Sequence, residues 1–327
     1  MNGYSSSELM QMITGYQRSR IILSAVELNI FDELNGLELS SNELAEKINA
    51  VPYPLEKLLN VLTSLKLLNK NNGNFSNSES ASKLLVKSSP SFLGGVMHQN
   101  HLWNTWSKLS EIVKDKDAKK ESEINQRGDE WLKAFIAAMH ARGIARAKTV
   151  KGLINLSGVK RLLDIGGGSG VFAATFINDD PSMSAVVFDL PNVVPITQEY
   201  IAKQNMSGRI TTLAGNYLKD DIGNGYDFIF LSAVIHSNSY DENALLIKKC
   251  ASALNEKGKI AVLDYIMNDN RTAPLAGAIF AINMLVGTDE GTTYTEKEVK
   301  EWMTAAGLNK FELTDAGEGN NILIGSN

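Results

Sequence analysis

The stretch Asp164-Ile165-Gly166-Gly167-Gly168-Ser169-Gly170 constrains the fold of this chain more than any other. A mostly apolar run from Val159 to Ile165 leads into it, and a helical pattern opens at Val171. That is the signature of the first strand–loop–helix turn of a nucleotide-type α/β domain. Glycines are required there because only a backbone without side chains lets a ligand come close and tolerates unusual φ/ψ. A second signal follows at Ala185-Val186-Val187-Phe188-Asp189, read as the next strand ending in an acid. A carboxylate at that edge accepts two hydrogen bonds from a ribose diol.

Three ligand classes use such a loop. A phosphate-binding P-loop ends in Gly-Lys-Ser/Thr, which is absent here. A dinucleotide loop reads G-x-G-x-x-G/A, and Gly168, Gly170 and Ala173 meet its looser form. The third class is S-adenosylmethionine, which has a charged amino-acid tail and no phosphate. An acid just before the glycines, as Asp164 is, helps hold an ammonium group.

With 327 residues the natural expectation is two domains. From Lys160 onward strands and helices alternate. The expected strands are Arg161–Ile165, Ala185–Asp189, Arg209–Leu213, Phe228–Ser232, Lys259–Tyr265, Lys310–Thr314 and Asn321–Ile324. This order predicts a Rossmann-like, doubly wound, mainly parallel seven-stranded sheet. Trp131 to Val150 reads as a helix with Phe135 and Met139 on one face. The first hundred residues differ in texture. Helical spacing runs from Leu9 to Leu28, Ser40 to Glu43 forms a capping box opening a helix to Ile48, and Pro54 to Leu68 is a second amphipathic helix. Asn71-Asn72-Gly73-Asn74 then signals a hairpin. Helix, helix and hairpin make a winged-helix pattern. Its second helix is mostly apolar and barely basic, whereas a DNA-reading helix displays Arg, Asn or Gln. The module is therefore read as a packing and dimerisation element. The expected domains are residues 1–105 and residues 106–327. The charged stretch Lys114 to Glu123 reads as a solvated helix end or loop.

Net charge is −5, which disfavours nucleic acid and anionic membranes as partners. No apolar run reaches the ~18 residues of a membrane helix, and the N-terminus lacks a signal pattern. The single cysteine, Cys250, allows no intrachain disulfide and suits a small core position in a cytoplasmic protein. No metal-ligand spacing stands out among His and carboxylates.

Of four histidines, His236 is singled out. It follows the apolar run Phe228 to Leu231 at the carboxyl edge of the sheet, where ligands bind, and precedes a polar helix start at Ser237 to Glu242. Imidazole is the usual general base near neutral pH. Asp264 ends the next expected strand, so two adjacent parallel strands would bring the pair to one rim. A carboxylate on one imidazole nitrogen sets the tautomer and stabilises the imidazolium.

With these residues in place, the chain resembles the two-domain S-adenosylmethionine-dependent O-methyltransferases of the plant caffeate and bacterial natural-product type. The resemblance covers nearly the whole chain. It includes Ala25 to Asp32 in the winged-helix dimerisation domain, Asp164 to Gly170, and Phe188-Asp189-Leu190-Pro191. It implies a homodimer, a small-molecule acceptor, His236 as general base and Asp264, 28 residues later, as the acid orienting it. It further implies a cofactor site at Asp164, Gly166, Gly168, Gly170, Asp189, Leu190, Asn216, Tyr217 and Ser232. Phe135, Met139 and Met284 match positions lining the acceptor pocket, where a thioether pair grips a flat ring. There are departures. His-Asp-Trp of relatives is His236-Ser237-Asn238, a Gly-Asp pair is Gly215-Asn216, a lysine is Ser232, and a second acid beside the base aligns near Thr293.

The implied reaction is in-line methyl transfer to an oxygen, most simply a phenol. A phenol titrates near ~10 and free imidazole near ~6.5, so complete prior proton transfer would be uphill by roughly 5 kcal/mol. The proton should therefore move as the oxygen attacks. Rival readings are nitrogen or carbon methylation on the same fold, a NAD-dependent oxidoreductase, and a non-enzymatic S-adenosylmethionine-sensing winged-helix regulator.

Overall fold

The computed structural model describes residues 3–115 and 128–327. From residue 116 on, the charged stretch Lys114 to Glu123 lies outside the described residues. The chain divides into two compact units, Met1–Asn104 and Thr105–Asn327.

In the first unit, α1 (Ser6–Thr14) and α2 (Tyr16–Glu27) are followed by the short α3 (Ile30–Glu33), β1 (Leu39–Ser40), α4 (Ser41–Ile48) and α5 (Pro52–Ser64). The hairpin β2 (Leu68–Asn71) and β3 (Asn74–Asn77) and the helix α6 (Glu79–Leu84) follow. The strand order is β1-β3-β2, so the hairpin forms the wing. Asn72 at φ 47° and Gly73 at φ 88° turn it, the left-handed pair that Asn-Gly supplies at least strain. The capping box is present: Glu43 N–H donates to Ser40 Oγ, and Ser40 N–H donates to Glu43. Leu44, Leu55, Leu59, Leu62 and Phe75 close the core.

Two expected helices have different bounds. The run Leu9 to Leu28 is broken at Gly15, where no side chain packs and glycine weakens the helix. The run Pro54 to Leu68 starts at Pro52, whose missing N–H costs nothing at a helix start. It stops at Ser64 because Lys66 turns left-handed at φ 62° and sends Leu68 into the hairpin.

After α7 (Gly95–Trp106) and α8 (Leu109–Lys114) comes the long α9 (Asp129–Leu153), which exceeds the expected Trp131 to Val150 at both ends. Then β4 (Arg161–Ile165), α10 (Val171–Ile177), β5 (Ser184–Asp189), α11 (Val194–Lys203), β6 (Ile210–Ala214), β7 (Tyr226–Ser232), α12 (Tyr240–Ala253) and β8 (Leu254–Asp264) alternate. The chain ends with β9 (Ile266–Met267), α13 (Leu275–Gly287), β10 (Tyr294–Thr295), α14 (Glu296–Ala305), β11 (Lys310–Gly317) and β12 (Asn320–Ser326). The seven-stranded order is β11-β12-β8-β7-β4-β5-β6, with β12 antiparallel to both neighbours and the rest parallel. Successive residues feed opposite faces. Phe228 and Phe230 pack with Ala173, Phe176 and Leu263, while Ile229 and Leu231 pack with Leu246, Val262 and Trp302. Strands buried on both faces read as continuous apolar runs, which is why they are legible in the sequence. Each such side chain contributes about 1.5–3 kcal/mol on burial.

The chain leaves β4 toward β5 and β6, then returns to β7 on the other side of β4. The carboxyl ends of β4 and β7 therefore flank the switch point, the place where open α/β sheets take ligands.

Candidate active site

Gly166, Gly168 and Gly170 all have positive φ, at 64°, 56° and 71°. Between them Gly167 presses inward, and a Cβ there would lie 2.8 Å from both Asp164 Cγ and Val187 Cγ1. The loop therefore closes down on Asp164, which is 1% exposed. One Asp164 oxygen accepts from the Ala173 amide at 3.3 Å, and the other is buried with no hydrogen-bond partner. Desolvation pushes this carboxyl up to about 7, partly offset by the Ala173 bond. Asp164 supports the loop from beneath.

Asp189, ending β5, accepts from Gly168 N–H at 2.7 Å and from Leu190 N–H at 2.8 Å. Burial raises its pKa, and the two amide bonds work against that. An ionised carboxylate offers about four lone-pair sites, so these bonds leave room for a diol. Glycines that clear the approach, with a carboxylate beside them that can still accept, fit the ribose of S-adenosylmethionine. On the β6 side, Asn216 accepts from Leu218 N–H at 2.9 Å, and Asn216 N–H donates to Asp220 at 2.8 Å. Tyr217 Oη donates to Asn238 at 3.0 Å, and burial pushes the phenol up to about 12. Leu190 packs with Leu132, Ile136, Val193 and Ile196. Ser232 ends β7 beside Leu263, and Leu231, just before it, pairs with Ile165.

Directly after Ser232, Ala233 adopts φ 57°, costly for a residue with a Cβ. That bend turns the chain into the 3-10 turn Ile235–Ser237, which carries His236. His236 Nδ1 lies 2.9 Å from each oxygen of Asp264. Asp264 Oδ1 also accepts from Tyr265 N–H at 2.8 Å. The Asp264 side chain is 3% exposed and that of His236 12%. The expected pair is thus brought together across the β7–β8 ladder. With Nδ1–H donated to the carboxylate, Nε2 is the nitrogen left to accept a proton.

The expected acceptor residues are less gathered. Phe135 stacks on Trp131 at 5.1 Å and packs with the cluster holding Leu190. Met139 is half-buried on α9 and Met284 is buried on α13. The aromatic ring that touches the histidine is Phe280, edge-on at 4.8 Å and one helical turn before Met284. Phe280 also lies against Tyr265 at 4.6 Å. Neither was singled out from the sequence, because both look like ordinary apolar filling there. The segment at Thr293 does lie near, since Tyr294 pairs with Ile266 and a Cβ on Gly291 would meet the His236 carbonyl at 2.6 Å. His140 was also missed: its Nδ1 sits 2.9 Å from Ser169 Oγ and its ring lies 4.2 Å from Tyr200. Burial and then Lys203 hold that imidazole below its usual pKa. Among the described residues no cluster of three or more His, Cys, Asp or Glu is placed to hold a metal. No described helix is long and apolar enough to cross a membrane.

Comparison with known proteins gives the family and the fold. A family model described as an O-methyltransferase domain matches residues 108–309, and one described as an O-methyltransferase dimerisation domain matches residues 10–87. A 3-hydroxy-5-methyl-1-naphthoate 3-O-methyltransferase of Streptomyces sahachiroi is 29% identical over 314 residues, covering 92% of this chain and 89% of the relative. The structure of an O-methyltransferase family protein from Burkholderia thailandensis superposes with TM-score 0.88 at 23% identity, covering 99% of this chain and 98% of the other. Human N-acetylserotonin methyltransferase in complex with SAM gives TM-score 0.83 at 21% identity, covering 100% and 99%.

Proposed function

We propose that this chain, which belongs to the O-methyltransferase family, methylates a phenolic hydroxyl of a small aromatic acceptor with His236 as general base. The donor is S-adenosylmethionine, and the class of reaction is O-methylation of natural-product hydroxyls. The observation that carries the finer reading is His236 Nδ1 at 2.9 Å from both oxygens of the buried Asp264.

When bound, S-adenosylmethionine supplies an electrophilic methyl on a sulfonium. Gly166, Gly168 and Gly170 clear its approach, Asp164 braces the loop, and Asp189 would accept from the ribose hydroxyls. Leu190, Asn216 and Tyr217 would complete that side, and Ser232, at the end of β7, would border the site across β4. His236 Nε2 takes the hydroxyl proton as the oxygen attacks, and the carboxylate of Asp264 stabilises the imidazolium that forms. His236 then returns the proton to water. Phe280, Met139, Met284 and Phe135 hold the acceptor ring in line, so much of the barrier is lowered by orientation.

The dimerisation domain is the basis for reading the protein as a homodimer. The helix α1 exposes Leu9, Met10, Met12 and Ile13, an apolar face that a second copy would cover. Its apolar α5 and the acidic net charge support a partner set without nucleic acid, and the single buried Cys250 suits the cytoplasm.

The test is a turnover screen with labelled methyl donor against phenols, hydroxyquinones and hydroxy-heteroaromatics, followed by location of the label. Label on a phenolic oxygen is the expected result. Label on carbon or nitrogen, or turnover confined to non-aromatic hydroxyls, would overturn the proposal.

A further inference from the structure

The 3-10 turn that carries His236 follows a strained bend. Ala233 is left-handed at φ 57°, and such a conformation persists only where its surroundings fix it. Three carbonyls of the turn are met from outside. That of Ile235 accepts from Asn243 Nδ2 on α12 at 2.8 Å, and that of Asn238 accepts from Tyr294 Oη on β10 at 2.6 Å. The carbonyl of His236 faces Gly291, where a Cβ would stand 2.6 Å from it.

The side chain of Asn238 joins these contacts to a further one. Its Nδ2 donates to Asn243 Oδ1 at 3.0 Å, and its Oδ1 accepts from Tyr217 Oη at 3.0 Å. Both amides are buried, which is costly unless they are bonded. Their orientation follows from the far end of the chain. The Ile235 carbonyl can only accept, so Asn243 turns its nitrogen there and its oxygen to Asn238. Asn238 must then present its nitrogen to Asn243, which leaves its oxygen for the Tyr217 hydroxyl. The bonds run in one direction, from Tyr217 to the residue before the base, and such chains strengthen as their members polarise one another.

Tyr217 comes from the other side of the sheet's switch point. It follows β6, where Gly215 N–H donates to the Asp189 carbonyl at 2.9 Å. Lys249 Nζ, on α12, donates to the Tyr217 carbonyl at 2.6 Å. Its backbone is thus held by Lys249 and its hydroxyl is spent on Asn238.

We infer that Tyr217 and Asn238 are positioning residues: through Asn243 they hold the His236 turn in register with the cofactor side, so that the base meets the acceptor oxygen in line with the methyl group. The inference rests on the reading of His236 as base and of Tyr217 as a neighbour of the cofactor. A base displaced by a fraction of its bond length still binds both substrates but takes the proton poorly.

Tyr217→Phe removes one hydroxyl and keeps the ring. In the full-length protein, with labelled S-adenosylmethionine and a phenol, kcat should fall about 3- to 10-fold, the worth of one hydrogen bond, while acceptor KM and calorimetric S-adenosylmethionine affinity stay within about twofold. Asn238→Leu, which cuts both amide bonds, should lose about 10- to 100-fold in kcat with the same split. The deciding measurement places Tyr217→Phe in His236→Ala, with an acidic phenol above its own pKa so that a residual rate is readable. There the substitution should cost nothing further, because a residue acting through the base has no effect once the base is gone. An undiminished loss in that background overturns the inference. So does an unchanged kcat in Tyr217→Phe alone, or a fall in S-adenosylmethionine affinity that accounts for the lost rate. Full activity of His236→Ala overturns the reading of His236 as base, and this inference with it.

Discussion

Replacing Asp264 by Asn isolates what the proposed dyad contributes. The side chain keeps its shape, and Asn Oδ1 still accepts from Tyr265 N–H, which now bonds Asp264 Oδ1 at 2.8 Å. The second oxygen, 2.9 Å from His236 Nδ1, becomes an amide NH2. That amide donates to Nδ1 and drives the proton to Nε2, the nitrogen that must accept one. The carboxylate's charge is lost as well. At ~4 Å and an effective dielectric constant of ~20, its attraction for an imidazolium is about 4 kcal/mol, or about 10³-fold in rate. Because the Asp264 side chain is 3% exposed, water does not replace it. We expect kcat to fall roughly 10²–10⁴-fold at pH 7, with S-adenosylmethionine affinity unchanged by calorimetry. His236→Ala should lose a similar factor, and the double variant little more, since the pair acts as one unit. Raising the pH toward the acceptor's own pKa should restore part of the rate in each variant. A kcat for Asp264→Asn within about threefold of wild type, measured with labelled donor on an un-ionised phenol, would refute the reasoning.

Asp189→Ala should weaken S-adenosylmethionine binding by about 10- to 100-fold, since a charged acceptor is lost and Gly168 N–H is released; calorimetry reads it, and unchanged affinity would remove Asp189 from the site. Asp164→Asn tests the buried carboxyl in the cofactor-free protein. A native pKa of about 7, above the usual 3.8, means the folded state holds a proton that the unfolded chain has released across that interval. Stability from this group is therefore present at low pH and lost as pH rises from about 4 to 7, by an amount on the order of 4 kcal/mol. Urea melts should show the wild type losing ground to Asp164→Asn as pH rises, and parallel profiles would contradict this. Sedimentation should give a dimer mass at micromolar concentration, and Met10→Asp with Ile13→Asp on the apolar face of α1 should shift it toward monomer; a monomeric wild type would end the dimer proposal.

The catalytic sheet was legible because its strands are buried on both faces and stop at chemical punctuation. Ile165 runs into glycines, Phe188 into Asp189, Leu231 into Ser232, and Leu263 into Asp264. His236 and Asp264 could be paired in advance because adjacent parallel strands bring their ends to one rim. Helical neighbours were harder. Phe135 faces Trp131 because a helix stripe fixes which residues align, not which outside group they meet. Phe280 and Tyr265 carry no chemical mark distinguishing a ring against a base from a ring in a core. The left-handed turns at Lys66 and Ala233 were invisible too, since neither residue type announces such a conformation.

The ladder β5-β4-β7-β8 acts as a ruler. Strands lie about 4.8 Å apart, so Asp189, the glycine loop, the proposed base and its anchor stand on successive rungs. Their separations are set by backbone pairing, which no surface substitution alters. The groups assigned to the acceptor, by contrast, ride on α9 and α13, outside the ladder. A chain built this way divides its evolution into a part that must hold still and a part free to drift. Grafting the α9 and α13 faces of a relative onto this sheet should therefore change which molecule is methylated while the methylating chemistry needs no retuning.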